Sequence, residues 1–258
     1  MAYVDVDGAS LWYEDTGGDD TPVVFLHPFT GTTEGWVYQV PAFTAAGYRC
    51  ITYDRRGWGQ SREPAPGSVA TCATDDLHAL VEHLGIARYH LVSSGGGGYV
   101  ALDHVVSHPE ELLSLVVACS GGPLQGDPEY MAIGSKYGRI PQFQTLPAWF
   151  RELSPTYRNA NPDGVDRWIE IDEASRQRES SQEGIKNEFT LALLETITVS
   201  TLMIAGSADL YAAPPRMRVM ASRIPDCQFV LMPEAGHAAY WEQPDDWNRL
   251  VLDFIRKH

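Results

Sequence analysis

The apolar positions of this chain fall into short blocks of two kinds. Some are continuous: Val23-Val24-Phe25-Leu26, Cys50-Ile51-Thr52-Tyr53 and Leu115-Val116-Val117-Ala118. Runs of this length without alternation predict strands buried on both faces. Residues 89–92, 201–205 and 228–231 read the same way. At the start, residues 3–6 alternate, Asp7-Gly8 marks a turn and Leu11-Trp12-Tyr13 resumes, which predicts a hairpin. The other blocks are periodic. Leu77, Leu80, Val81 and Leu84 recur at helical spacing, with Asp75 and Asp76 near the start, where a helix dipole favours them. Helices are also expected over residues 35–46, 98–107, 214–224 and 244–257. Strands alternating with helices predict an α/β domain, a mostly parallel sheet covered on both faces.

Residues 121–185 interrupt the alternation. They are rich in Pro, Gly, Tyr, Trp and charge and contain no clean strand. The stretch reads as an insertion after a strand end, where such sheets build their sites. The expected division is a core of residues 1–120 and 186–258 with an insertion over 121–185.

The 258 residues are 44% apolar and 21% charged, too apolar for a disordered chain. Lys plus Arg number 19 and Asp plus Glu 34, so the net charge is 19 − 34 = −15. Such a surface repels phosphates, so neither nucleic acid nor an anionic membrane is an expected partner. No apolar run is long enough to span a bilayer, and the first residues lack a basic segment followed by an apolar one. A cytoplasmic location follows as an expectation. Cys50, Cys72, Cys119 and Cys227 are far apart, which speaks against a zinc or redox pair. His78, His83, His104 and His108 lie on expected helices without an H-E-x-x-H arrangement and read as structural. Neither a metal nor a cofactor is expected.

Five segments carry candidate chemistry. They are Leu26-His27-Pro28-Phe29-Thr30-Gly31, Asp54 to Ser61, Leu91-Val92-Ser93-Ser94-Gly95-Gly96-Gly97-Gly98, Gly206-Ser207-Ala208-Asp209, and Ala235-Gly236-His237. A histidine that takes a proton needs a carboxylate on its Nδ1–H, and Asp209 and His237 can meet if both lie at one end of the sheet. The glycine run lacks the Lys and Ser/Thr of a phosphate loop.

In order and placement these segments resemble the α/β-hydrolase family, in its capped esterase, lactonase and C–C hydrolase branch. The resemblance covers essentially the whole chain. It implies an α/β-hydrolase fold with a short helical cap, Asp209 as triad acid, His237 as triad base, and the amides of Phe29 and Gly96 as an oxyanion hole. Pro28 departs from the pattern, since the family usually has glycine there.

The larger departure is the nucleophile. The family reads G-x-S-x-G at the strand-to-helix elbow. Here the register with Leu91-Val92 on the strand puts Gly95 at the serine position; a second register would put Ser94 there. Losing the serine of a comparable triad costs about 10⁶ in turnover, about 8 kcal/mol of barrier. Three functions remain open. One is a hydrolase of an ester, lactone or C–C bond in a small, mostly apolar substrate, here a variant whose serine has been removed. Another is a lyase or isomerase that natively lacks serine and uses His237 and Asp209 as a general base. The last is a noncatalytic ligand-binding module, against which the intact Asp–His pair argues. Trp149 and Tyr137 are candidate substrate contacts. His27 reads as a brace for the oxyanion loop, and Lys136, Arg139 and Arg151 as surface charges. The expected partner is a small-molecule substrate, with the chain a monomer or homodimer.

Overall fold

The computed structural model describes residues 1–62, 71–124, 126–133, 141–175 and 184–258. Its strands are β1 (Ala2–Val6), β2 (Ala9–Asp15), β3 (Pro22–Leu26), β4 (Arg49–Tyr53), β5 (Tyr89–Ser94), β6 (Leu112–Ala118), β7 (Thr201–Gly206) and β8 (Cys227–Met232). They form one sheet in the order β1-β2-β4-β3-β5-β6-β7-β8. The β1–β2 hairpin and its β2–β4 junction are antiparallel, and every later pairing is parallel.

The continuous apolar runs are explained by two cores. Successive strand residues point to opposite faces. Val24, Leu26 and Leu91 pack into one cluster, while Val23, Phe25 and Val92 pack into the other. Helices α1 (Gln39–Ala45), α2 (Ala73–His83) and α3 (Gly97–Ser107) follow β3, β4 and β5. Between β6 and β7 lie α4 (Pro128–Ala132), α5 (Ala148–Glu152), α6 (Pro155–Ala160), α7 (Pro162–Ser175) and α8 (Leu191–Leu194). The C-terminal part adds α9 (Pro214–Arg223), α10 (Ala239–Glu242) and α11 (Pro244–Ile255). Among the described residues no helix is long and apolar enough to cross a membrane.

Two elements differ from expectation. The single helix expected over residues 35–46 is a 3-10 turn, Thr33–Trp36, followed by α1. Restarting at Gln39 leaves Pro41 in the first helical turn, where its missing N–H costs no hydrogen bond. The insertion contains a fourteen-residue helix, α7, where no regular element was located from the sequence. Asn161 Oδ1 accepts from the Gly164 amide at 3.0 Å, and Pro162 opens the helix. Leu153, Tyr157, Trp168 and Ile171 share a cluster with Trp36, Tyr240 and Trp241 of the surrounding fold.

Candidate active site

Strand β5 turns into α3 through Gly95 and Gly96. Gly95 has φ +53° and donates its amide to Ala118 O at 3.0 Å. A side chain in that conformation costs about 1–3 kcal/mol, which glycine avoids. A Cβ built on Gly95 would lie 3.2 Å from His237 Nε2 and 2.9 Å from Pro28 Cβ. Position 95 is therefore the place from which a side chain meets His237, whereas Ser94 belongs to β5 and is buried. Gly97 has a different reason: its Cβ would fall 2.3 Å from Leu26 O. The glycine run lets helix α3 sit directly against the end of β3.

Asp209 follows β7 and His237 follows β8, so both reach the end of the sheet where Gly95 lies. His237 Nδ1 donates to Asp209 Oδ2 at 2.9 Å, with Oδ1 at 3.1 Å. The carboxylate only accepts, so the pair holds a proton on Nδ1 and leaves Nε2 the basic nitrogen. Asp209 Oδ1 also accepts from the amides of Tyr211 at 2.7 Å and Ala212 at 2.9 Å, which fixes its orientation. The His237 amide donates to Glu152 O at 2.7 Å, tying the histidine loop to α5 of the insertion.

Phe29 and Gly96 lie side by side, with the Phe29 ring against Gly96, and both line the same cavity as Gly95 and His237. His27 braces this loop. Its Nε2 accepts from the Arg55 amide at 3.0 Å, so the proton is on Nδ1, which donates to Pro28 O at 2.7 Å. Complete burial pushes His27 well below the usual histidine range and keeps it neutral. Beneath the loop, Asp54 accepts from the amides of Thr33 at 2.7 Å and Gln60 at 2.8 Å. Burial nevertheless raises its pKa to about 6.

The cavity has a volume of about 630 Å³. Its wall combines Tyr99, Tyr130 and Tyr211 with Arg151, Glu152 and Asp172. The expectation of a mostly apolar substrate is revised accordingly: the wall offers both aromatic faces and charged groups. Arg151, read from the sequence as a surface charge, lines this wall; its Nη1 donates to Gln144 Oε1 at 2.9 Å. Trp149 is not among the lining residues. Ala148, Arg151 and Glu152 share one face of α5 at helical spacing, and Trp149 points from another face into the second core cluster. Tyr137, Lys136 and Arg139 lie outside the described residues.

Two acids in this wall escaped the sequence reading. Glu152 is buried and accepts from Thr30 Oγ1 at 2.7 Å. Loss of solvation raises its pKa to about 7, against the opposing pull of His237. Asp172 is raised to about 6 by burial, with Arg151 opposing. No local motif distinguishes such carboxyls from solvated ones. The one signal was that Arg151 and Glu152 stand in an aromatic-rich insertion.

Away from the cavity, His78, His108 and Glu111 offer ligand atoms within 4.8 Å of one another. The rings of His78 and His108 are stacked 4.4 Å apart with planes 9° from parallel. A metal lies in the plane of each ring it binds, and parallel planes share no such point. The cluster instead hydrogen-bonds Glu111, through His78 at 2.5 Å and His104 at 3.0 Å.

The alpha/beta hydrolase family model matches residues 23–250. The Mycobacterium tuberculosis protein BpoC, which carries a provisional non-heme bromoperoxidase name, is 31% identical, covering 95% of this chain and 97% of its own. A 2-hydroxy-6-oxononadienedioate/2-hydroxy-6-oxononatrienedioate hydrolase of Burkholderia vietnamiensis is 28% identical over 99% of this chain and 95% of its own. Among solved structures, a thermophilic esterase from Thermogutta terrifontis superposes with a TM-score of 0.80 at 25% identity, covering 100% of this chain and 99% of that one. Fold, order of segments and matched model agree: the chain belongs to the α/β-hydrolase family.

Proposed function

We propose that this protein is a small-molecule enzyme that works without a covalent intermediate, with His237 as general base on a carbonyl compound. Asp209 orients the imidazole and stabilises its protonated form. The substrate oxygen rests on the amides of Phe29 and Gly96, where negative charge develops. Room above Gly95 admits a substrate carbon bearing an acidic proton, giving isomerase or lyase chemistry, or a water, giving hydrolysis. Helices α4, α5 and α7 bring Tyr130, Arg151, Glu152 and Asp172 to the cavity wall.

One observation carries this reading. A Cβ at position 95 would lie 2.9 Å from Pro28 Cβ, closer than such atoms approach. The two departures from the family pattern, Pro28 and Gly95, are thus in mutual contact and fit each other. Removing a serine from an otherwise ordinary hydrolase gives no reason for a proline at position 28. The second reading, a hydrolase deprived of its serine, draws support from the relatives named for ester and C–C bond hydrolysis.

An ester with a chromogenic leaving group separates the two. Gly95→Ser alone is expected to give no stoichiometric burst of 4-nitrophenol from 4-nitrophenyl acetate, because Pro28 displaces the new hydroxyl. A full burst from that single substitution favours the serine-deprived hydrolase. Any proton-transfer or hydrolytic turnover of the protein as it stands is expected to disappear in His237→Ala.

A further inference from the structure

Resting on the reading of His237 as base, we propose that Glu152 is the catalytic acid of the same cavity, delivering a proton to the atom where the substrate's charge arrives. Once protonated, a base returns its proton only to atoms within its own reach. A second group placed elsewhere in the cavity protonates an atom that His237 Nε2 does not reach.

The geometry points to Glu152 for three reasons. First, Glu152 lines the cavity together with Gly95 and His237 and is 7% exposed, and its carboxylate meets Thr30, another lining residue. Second, its position relative to the base is fixed by the backbone. Glu152 O accepts from the His237 amide at 2.7 Å and from the Ala238 amide at 3.4 Å. Third, among the described residues its one side-chain hydrogen bond is from Thr30 Oγ1 to Oε2, and no cation forms an ion pair with it. Glutamine would accept that bond equally well without the cost of a buried ionisable group. A carboxyl kept in such a place is a candidate for chemistry.

The surroundings favour the protonated form. His237 pulls its acidity up, while burial, Asp172 and Asp209 push it the other way, and the balance holds the proton to about neutral pH. Tyr240, packed in the second core cluster, feels the Glu152 charge in turn.

The step balances. It starts with neutral His237 and the Glu152 carboxylic acid. His237 Nε2 takes a proton from the carbon next to the carbonyl, and the C–H electron pair moves to the carbonyl oxygen. As that pair returns through the conjugated system, Glu152 gives its proton to the distal carbon. Imidazolium and carboxylate remain, and transfer of the proton from one to the other restores the start.

The test uses 3-cyclohexen-1-one in D₂O with the full chain. Two rates are read by NMR and absorbance: deuterium exchange at the carbon between carbonyl and alkene, and conversion to the conjugated enone. Glu152→Gln is expected to slow conversion about 100-fold more than exchange, within the range of general acid contributions. Glu152→Asp is expected to recover part of that ratio, and thermal unfolding checks that both variants fold. His237→Ala is expected to lose both rates. If Glu152→Gln leaves the ratio of the two rates unchanged, the inference is overturned while the loss in His237→Ala leaves the proposed function standing. Wild-type protein that neither exchanges nor converts the probe, or a His237→Ala variant as fast as wild type, overturns the proposed function and the inference with it.

Discussion

Pro28 occupies the space into which any side chain at Gly95 would grow: Cβ to Cβ would be 2.9 Å. Position 95 is also held at φ +53°. Gly95→Ala is therefore expected to cost about 2–6 kcal/mol, from left-handed strain of about 1–3 and overpacking of about 1–3. Much of the second part should vanish when the proline is absent. In a double-mutant cycle with Pro28→Gly, measured by urea unfolding, the pair is expected to be less destabilised than the sum of the singles by about 1–2 kcal/mol. Additive singles would mean that the contact has no energetic consequence.

Glu152 makes stability depend on pH. Its pKa rises from 4.5 to about 7 because burial penalises the charged form. A carboxyl raised in the folded state binds more protons folded than unfolded across that window. Its contribution to stability is thus full below the unfolded value and is lost as pH rises through about 7. Glu152→Gln removes the dependence. At about pH 8 the variant is expected to gain on wild type relative to about pH 5, by at most about 3 kcal/mol. Denaturant unfolding at the two pH values measures this, and parallel curves for the two proteins would contradict it.

The sheet was legible because each buried strand is a short apolar run and its two faces need not be told apart. Val23 and Val24 are both fully buried, although they point into different cores. The Asp209–His237 pair and the elbow were legible from their order between strands. Helix α7 was less so. Its start signal, Asn161-Pro162, was present, but the flanking Gly, Pro and charge masked its periodicity. Glu152 was illegible for a different reason. Its burial depends on Thr30 and His237, far from it in the chain, and a local pattern carries no such information. Trp149 shows the converse: an aromatic residue in the right segment, turned to the wrong face of a five-residue helix.

Arg56 and Asp76 form a buried bidentate pair, with Nη2–Oδ1 at 2.7 Å and Nε–Oδ2 at 2.9 Å. Arg56 Nη2 also donates to Val6 O at 3.1 Å, so one guanidinium joins the N-terminal hairpin, the loop after β4 and helix α2. Both side chains are at most 5% exposed. Asp76→Ala leaves the cation buried without its carboxylate and is expected to cost about 3–5 kcal/mol. Asp76→Asn keeps one acceptor and should cost less. A loss under about 1 kcal/mol for the alanine variant, by denaturant midpoint, would be in the range of a solvated surface pair instead.

His27 holds the oxyanion loop only while it is neutral. Its Nε2 must accept from Arg55 while Nδ1 donates to Pro28, and a second proton would remove the acceptor. Burial and the nearby Arg55 charge lower its pKa well below 6.5. For a base depressed in the folded state, the unfolded chain binds more protons as pH falls. The stabilisation is therefore full above about 6.5 and declines as pH falls from there toward the folded value. His27→Ala leaves the buried Arg55 amide without its acceptor, at an expected cost of about 2–4 kcal/mol at neutral pH including the lost packing. The gap between wild type and variant should narrow as pH falls below about 6, since only wild type carries the protonation penalty. Unfolding free energies across that range decide the matter: a gap independent of pH would show that His27 contributes through packing alone.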